Sequence, residues 1–420
     1  MHAACFIDFM QVDRGNLIDM SIDMESLRIC LLTTQDLDVD PFPEDDWPCD
    51  PRPFLPEADW HVATLEGKEE SVREVQRLIA LDRFDLFFNL CDGAADQDIP
   101  GIEVVETLER SGVPFAGASS NFYEPTRIQM KEACAAVGVA APAYVMAETP
   151  EDVEHAARTL RFPLFVKHYS SYASVDLSRR SRVRTPEGLR IQAKKIMSRH
   201  GAALIEEFIE GIECTVLIAE NPEDPLKPIA YTPVQYRFPK GEDFKHEKLK
   251  WVDYEGLATV PVEDPVLSAR LKEECSRFFL QLEATSFARC DVRVSRDGTP
   301  HMLEINANCG IYYPPADYGS ADLILTHDPA GHAGFTRNLV KAAFARHARH
   351  ARAGVASPAL NVEPECDSVP HASDPDAAGP DSSDPTSKAT PVAEQSITAR
   401  KWESPSESMD QDPTRLTPPR

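Results

Sequence analysis

From Leu27 onward, short apolar runs alternate with segments of helical spacing, and this alternation restricts the chain to layered α/β architectures. Leu27-Arg28-Ile29-Cys30-Leu31-Leu32 reads as a first strand. Val72, Val75, Leu78 and Ile79 give residues 69–81 one apolar helical face. Residues 84–90 read as a buried strand, 102–111 as a second helix stopped by Gly112, and 113–117 as a third strand. Strand–helix–strand order over residues 27–117 predicts a parallel sheet, because parallel neighbours need a crossover and a helix supplies it. The prolines between Asp36 and Pro56 forbid regular structure there, so a long loop is expected. Alternation resumes with helices over 127–137, 151–160 and 185–200 and strands over 143–146, 163–167 and 203–208. A third region adds strands near 215–219, 228–235, 288–294 and 302–305 and a helix over 265–282. The expected class is α/β, in three consecutive α/β units.

The chain ends are of another kind. Residues 355–420 hold 11 prolines in 66 residues and one aromatic, Trp402, too little apolar surface to offset the entropy of ordering. They are expected to be a disordered tail, and residues 1–26 a disordered extension. Those first residues have Arg14 as their single Lys or Arg and no long apolar run, which argues against a secretory signal. The formal net charge of −26 disfavours nucleic acid and anionic membranes as partners. No apolar run is long enough to span a bilayer. The cysteines are spaced singly, without CxxC pairs, which reads as a reduced, cytoplasmic protein without a structural zinc site.

The most informative stretch runs from Ala288 to Asn306. Two strands flank the Gly298-containing turn, so a β-hairpin is expected. Alternation places Arg289, Asp291 and Arg293 on one face of the first strand, and Glu304 and Asn306 on one face of the second. Two carboxylates and an amide oxygen form a hard donor set suited to Mg²⁺ with phosphates. Arg289 beside them would stabilise charge on a transferring phosphoryl group. Taken alone, the same pattern also describes a hairpin with a solvated charged face.

The wider sequence resembles the D-alanine–D-alanine ligases of the ATP-grasp superfamily over most of residues 84–345. Glu304-Ile305-Asn306-Ala307-Asn308-Cys309-Gly310 is similar to that family's closing E-x-N-x-x-x-G segment, and Arg289-x-Asp291 to its R-x-D strand. Leu204 to Val216 is similar to its adenine-binding strand and following turn. That implies adenine contacts from the backbone of Glu207, Phe208 and Ile209, an adenine-amino contact from Glu206, and ribose contacts from Glu213. Phe165-Val166-Lys167 resembles the strand ending in a phosphate-binding lysine. The lysine ahead of the family's first nucleotide-domain helix falls on Arg127, with Lys131 the alternative. Lys248-Leu249-Lys250-Trp251 resembles the mobile loop that closes over ATP, Lys250 being the better match. In the flap after Lys167, Ser174 and Val175 match.

The resemblance implies ATP and Mg²⁺ (or Mn²⁺) as cofactors, the nucleotide lying between the central and C-terminal units. It implies Arg289 and Lys250 as catalytic, Asp291, Glu304 and Asn306 as metal ligands, and Asn308, Gly310 and Tyr312 as substrate contacts. The implied units are 27–120 (Rossmann-like substrate unit), 121–212 (ATP-grasp lid, α+β) and 213–350 (ATP-grasp catalytic unit, α+β). The family's Gly-rich first turn is replaced by Thr33-Thr34-Gln35-Asp36, and its final-loop proline by Cys309. The expected activity is therefore ATP-dependent joining of a small-molecule carboxylate and an amine other than D-alanine. Nucleotide binding without ligase activity and a small-molecule kinase are the alternatives. The sequence leaves the oligomeric state open, a homodimer included.

Overall fold

The computed structural model describes residues 23–37, 48–169, 176–246, 249 and 256–354. Residues 1–22 and 355–420, most of the expected extension and all of the expected tail, lie outside the described residues.

The first sheet is parallel and ordered β2-β1-β3-β4: β1 (Arg28–Thr33), β2 (Asp59–Thr64), β3 (Leu86–Asn89) and β4 (Phe115–Ala116). Helices α1 (Lys68–Ala80) and α2 (Ile102–Ser111) provide crossovers, and Gly112 ends α2 at a left-handed φ of 64°. Their Val75, Leu78, Val104 and Leu108 pack on Cys30, Leu32 and Phe87. Strand β2 was not foreseen. It is an edge strand with only Ala63 buried, so its residues carry little apolar signal. Among the described residues of the proline-rich loop there is a short 3-10 turn at Arg52–Phe54.

The second sheet is antiparallel, β5-β8-β6-β7, from β5 (Tyr144–Ala147), β6 (Leu164–His168), β7 (Arg182–Val183) and β8 (Ala203–Glu207). Helices α4 (Pro150–Thr159) and α5 (Pro186–His200) cover one face through Val153, Ala156, Leu189 and Ile196. The helix before it, α3 (Arg127–Ala136), starts at a capping box in which Thr126 and Gln129 satisfy each other's backbone amides.

The third sheet is antiparallel, β12-β11-β9-β13-β14, with β10 paired to β9. Its strands are β9 (Gly211–Ala219), β10 (Ile229–Ala230), β11 (Val234–Arg237), β12 (Ala258–Pro261), β13 (Phe287–Ser295) and β14 (Pro300–Ala307). The single strand expected over 228–235 is thus two, interrupted around Pro233. Helix α6 (Pro265–Gln281) and α3 cover one face. The remaining helices, α7 (Ser320–Thr326) and α8 (Gly331–Arg352), return to the first sheet, where Leu325, Phe335 and Leu339 meet Leu31 and Phe88. No helix among the described residues is long and apolar enough to cross a membrane.

Candidate active site

The β13–β14 hairpin forms with Asp291 opposite Glu304 and Arg289 opposite Asn306, with an irregularity after Asp291. Gly298 supplies the turn's positive φ of 84°. Arg289 donates to both oxygens of Asp291, Nε to Oδ1 at 3.1 Å and Nη2 to Oδ2 at 3.0 Å. Thr215 on β9 donates to Asp291 Oδ1 at 2.8 Å, and Asn306 Nδ2 lies 3.3 Å from Oδ2. Glu304 accepts from Arg127 Nη1 at 2.7 Å. Burial opposes ionisation of both carboxyls, but Arg289 and Lys245 hold Asp291 low, and Arg127 and Lys167 hold Glu304 low.

Arg127 and Lys131 stand one turn apart on α3, so one helix face carries both cations. Lys131 and Lys167, the latter near the end of β6, clasp the buried Glu206 of β8 at 2.5 and 2.7 Å. Burial raises the Glu206 carboxyl, yet the two lysines outweigh it and bring it down to about 2. Lys167 is lowered to about 8 by burial and by Arg127, against the attraction of Glu206. Glu207 faces the other way and pairs with Arg161.

Phe208 and Ile209 lead from β8 into β9. Gly211 opens β9 with its Cα so close to β13 that a Cβ there would stand 1.9 Å from the Val294 carbonyl oxygen. Arg293 ties this crossing together. It donates to Ile209 O at 2.6 Å, Gly211 O at 3.2 Å, Asp243 O at 2.8 Å and Glu213 Oε2 at 2.9 Å. Its guanidinium lies 4.5 Å from the Phe208 ring centre. Burial pushes the Glu213 carboxyl up despite that partner.

Two cavities meet at these groups. The first, about 140 Å³, has Lys167, Glu206, Phe208, Glu213, Lys245 and Asp291 on its walls. The second, about 680 Å³, is bordered by Asn306, Asn308 and Gly310. Arg127, Arg289 and Glu304 line both. Glu207 and Ile209 also line the first cavity; Lys131 reaches the site through Glu206.

Tyr312 departs from the expectation. It is buried in the core, its hydroxyl 3.0 Å from Thr336 and its ring stacked with Phe54, and it lines neither cavity. A left-handed φ of 69° and the bond from its amide to Asp322 at 2.8 Å turn it inward. Ser174, Lys248 and Lys250 lie outside the described residues. Sequence reasoning passed over Lys245, whose Nζ sits 3.4 Å above the Tyr236 ring and 3.3 Å from Ser320 Oγ. Burial lowers it to about 8. Its signal was its position between Phe244 and His246, both buried. Arg293 was placed on the hairpin face but not assigned to the site.

Residues 134–313 match the family model of the D-ala D-ala ligase C-terminus. An uncharacterized protein, y4sG, of Sinorhizobium fredii is 29% identical over 297 residues, covering 64% of this chain and 82% of that protein. A D-alanine–D-alanine ligase of Streptococcus agalactiae is 27% identical over 214 residues, which is 48% of this chain and 58% of that ligase. The chain thus spans little more than half the length of that relative. The D-alanine–D-alanine ligase of Bacillus anthracis complexed with ATP superposes with a TM-score of 0.54 at 16% identity, covering 77% of this chain and 99% of that one. The VanG D-Ala:D-Ser ligase of Enterococcus faecalis gives 0.56 at 13% identity, covering 76% and 99%. The fold is like that of these solved ligases. In sequence the chain resembles the D-alanine–D-alanine ligases over residues 134–313, less than half of its length.

Proposed function

We propose that this protein is an ATP-dependent carboxylate–amine ligase that forms an amide through an acyl phosphate. The shared wall carries the reading. With Arg127, Arg289 and Glu304 lining both cavities, a phosphate in one and a carboxylate in the other would meet at the same guanidinium.

In this reading the adenine edge lies along the backbone of Glu207, Phe208 and Ile209, with Glu206 near its amino group and Glu213 at the ribose. Lys131, Lys167 and Arg127 exchange their carboxylate partners for phosphates. The first cavity is narrower than nucleotide sites usually are, so binding must widen it. Ser174, Lys248 and Lys250 would close over the phosphates. The all-oxygen donor set of Asp291, Glu304 and Asn306 on paired strands fits Mg²⁺ (or Mn²⁺), which would neutralise phosphate charge when bound.

The substrate carboxylate attacks the γ-phosphorus and ADP leaves, while Arg289 offsets the charge on the transferred group. The amine then attacks the acyl carbon, inorganic phosphate leaves, and the amine's proton goes to solvent. Asn308 and Gly310 border the second cavity, where the substrates would be oriented. The altered substrate-side residues favour an amino acid or conjugate other than D-alanine. In this reading the first, second and third sheets would serve as a substrate unit, a lid and a catalytic unit.

The test is ADP release with Mg-ATP against amino acids offered singly and in pairs, beside an Asp291→Ala/Glu304→Ala control. Turnover requiring a pair, with amide formed and lost in the control, supports the ligase. ATP turnover without amide would make it a kinase, and nucleotide binding without any turnover a binding protein.

A further inference from the structure

The second cavity carries negative charge that nothing in the proposed phosphoryl chemistry uses. Asp92 and Glu124 both line it. Asp92 sits in the turn after β3, and Tyr123 pins that turn by donating to Cys91 O at 3.2 Å and Gly93 O at 3.1 Å. The turn leaves no slack. A Cβ at Gly93 would stand 2.1 Å from the Ile99 carbonyl oxygen. Glu124 follows Tyr123 directly, so the same anchor holds the backbone beneath both carboxylates.

Among the described residues no cation pairs with either. Lys68 acts on Glu124 only at a distance. Its ammonium is held by Ala94 O at 3.2 Å, Ala95 O at 3.1 Å and Glu103 at 3.2 Å. His168, also on the lining, is lowered by burial and by His200, so it adds no charge at neutral pH. Asp96 adds a third carboxylate. Burial raises both Asp92 and Glu124, with Asp96 adding to the rise at Glu124. Carboxylates open to the cavity and without a cationic partner gain from a cation brought in by a ligand.

A separate observation lies on the same lining. Asn308, at a left-handed φ of 45°, accepts from Ala118 N at 3.0 Å through Oδ1. Its Nδ2 is buried without a hydrogen-bond partner among the described residues. A buried orphan donor in a ligand cavity calls for an acceptor from the ligand.

We infer that the second cavity takes an amino acid with a cationic side chain. Its carboxylate would lie toward Arg289 and Asn308, and its ammonium or guanidinium toward Asp92 and Glu124. The volume of about 680 Å³ leaves room for such a side chain. This inference rests on the ligase reading and adds a substrate class to it.

Calorimetry on the full chain with Mg²⁺ and a non-hydrolysable ATP analogue tests it. The probes are both enantiomers of lysine, ornithine and arginine, with norleucine and glutamate for comparison. At least one basic amino acid is expected to bind ten times or more tighter than norleucine. The Asp92→Asn/Glu124→Gln variant is expected to lose that preference, with its far-UV melt and analogue affinity serving as fold controls. Norleucine or glutamate binding as tightly as the basic amino acids would overturn the inference. So would a preference that survives in the variant, or analogue binding with no amino acid bound. Failure of the analogue itself to bind would overturn the ligase reading, and the substrate class with it.

Discussion

Replacing Arg293 by methionine keeps most of the side-chain volume and removes the charge. Arg293 is buried and makes four hydrogen bonds, three to backbone carbonyls and one to Glu213. Glu213 is itself buried, with Arg293 as its ion-pair partner among the described residues. Removing one member of a buried pair leaves an uncompensated charge, which costs about 3–5 kcal/mol. For a chain of this size that lowers the melting temperature by about 6–10 °C. The deficit is expected to depend on pH. The folded Glu213 carboxyl already lies above its ordinary value, and without Arg293 it rises further. A carboxyl raised on folding binds its proton more tightly in the native state, so the deficit should shrink as pH falls toward 5. Adding Glu213→Gln should restore part of the loss. Thermal melts by circular dichroism at pH 5, 7 and 8 measure all three effects. A loss below about 1 kcal/mol, or a double variant weaker than the single one, would refute the reasoning.

Three further outcomes are expected. Lys167 and Lys245, both lowered to about 8, shed their protons above that pH. Affinity for an ATP analogue should fall by as much as tenfold per pH unit for each, while apo stability rises between about pH 8 and 10.5 because the unfolded state binds more protons there; calorimetry and melts from pH 7 to 9.5 that stay flat would contradict both. Asp291→Asn should lower ADP release by about 10²–10³, as expected when a charge-stabilising group is lost at a phosphoryl site, and should also lower the melt, because Arg289 loses its carboxylate partner; a residual rate near wild type would remove Asp291 from the chemistry. Tyr312→Phe should cost about 1 kcal/mol through the bond to Thr336 and leave substrate KM within twofold; a large rise in KM would return Tyr312 to the substrate site.

The parts of this structure that could be read from sequence are those where burial on two sides forces a pattern. Strands β1 and β3 are apolar because α1 and α2 cover one face and α8 the other. The β13–β14 hairpin was legible because its apolar residues alternate with Arg289, Asp291 and Arg293 around a glycine turn. Strand β2 was not, because it lies at a sheet edge with one buried residue. Tyr312 illustrates a different gap. Its inward turn depends on Asp322, ten residues on, and on Thr336 in α8, partners that no local pattern announces. Lys245 was not legible because the resemblance to the ligase loop falls on Lys248 and Lys250, three and five residues further along, and only the folded chain shows Lys245 lining the first cavity.

The clasp of Lys131 and Lys167 on Glu206 has a consequence for selectivity. The first cavity carries a tethered anion on its wall, the Glu206 carboxylate, held 2.5 and 2.7 Å from the ammonium groups of Lys131 and Lys167. An incoming anion therefore competes with a carboxylate that cannot diffuse away, not with loosely held water. Chloride or free phosphate brings no second foothold to offset that exchange. A ligand whose ring lodges beside Phe208 while its phosphates displace Glu206 gains from both ends at once. The glutamate thus works as a resident placeholder, turning away small ions and yielding to a ligand long enough to grip elsewhere.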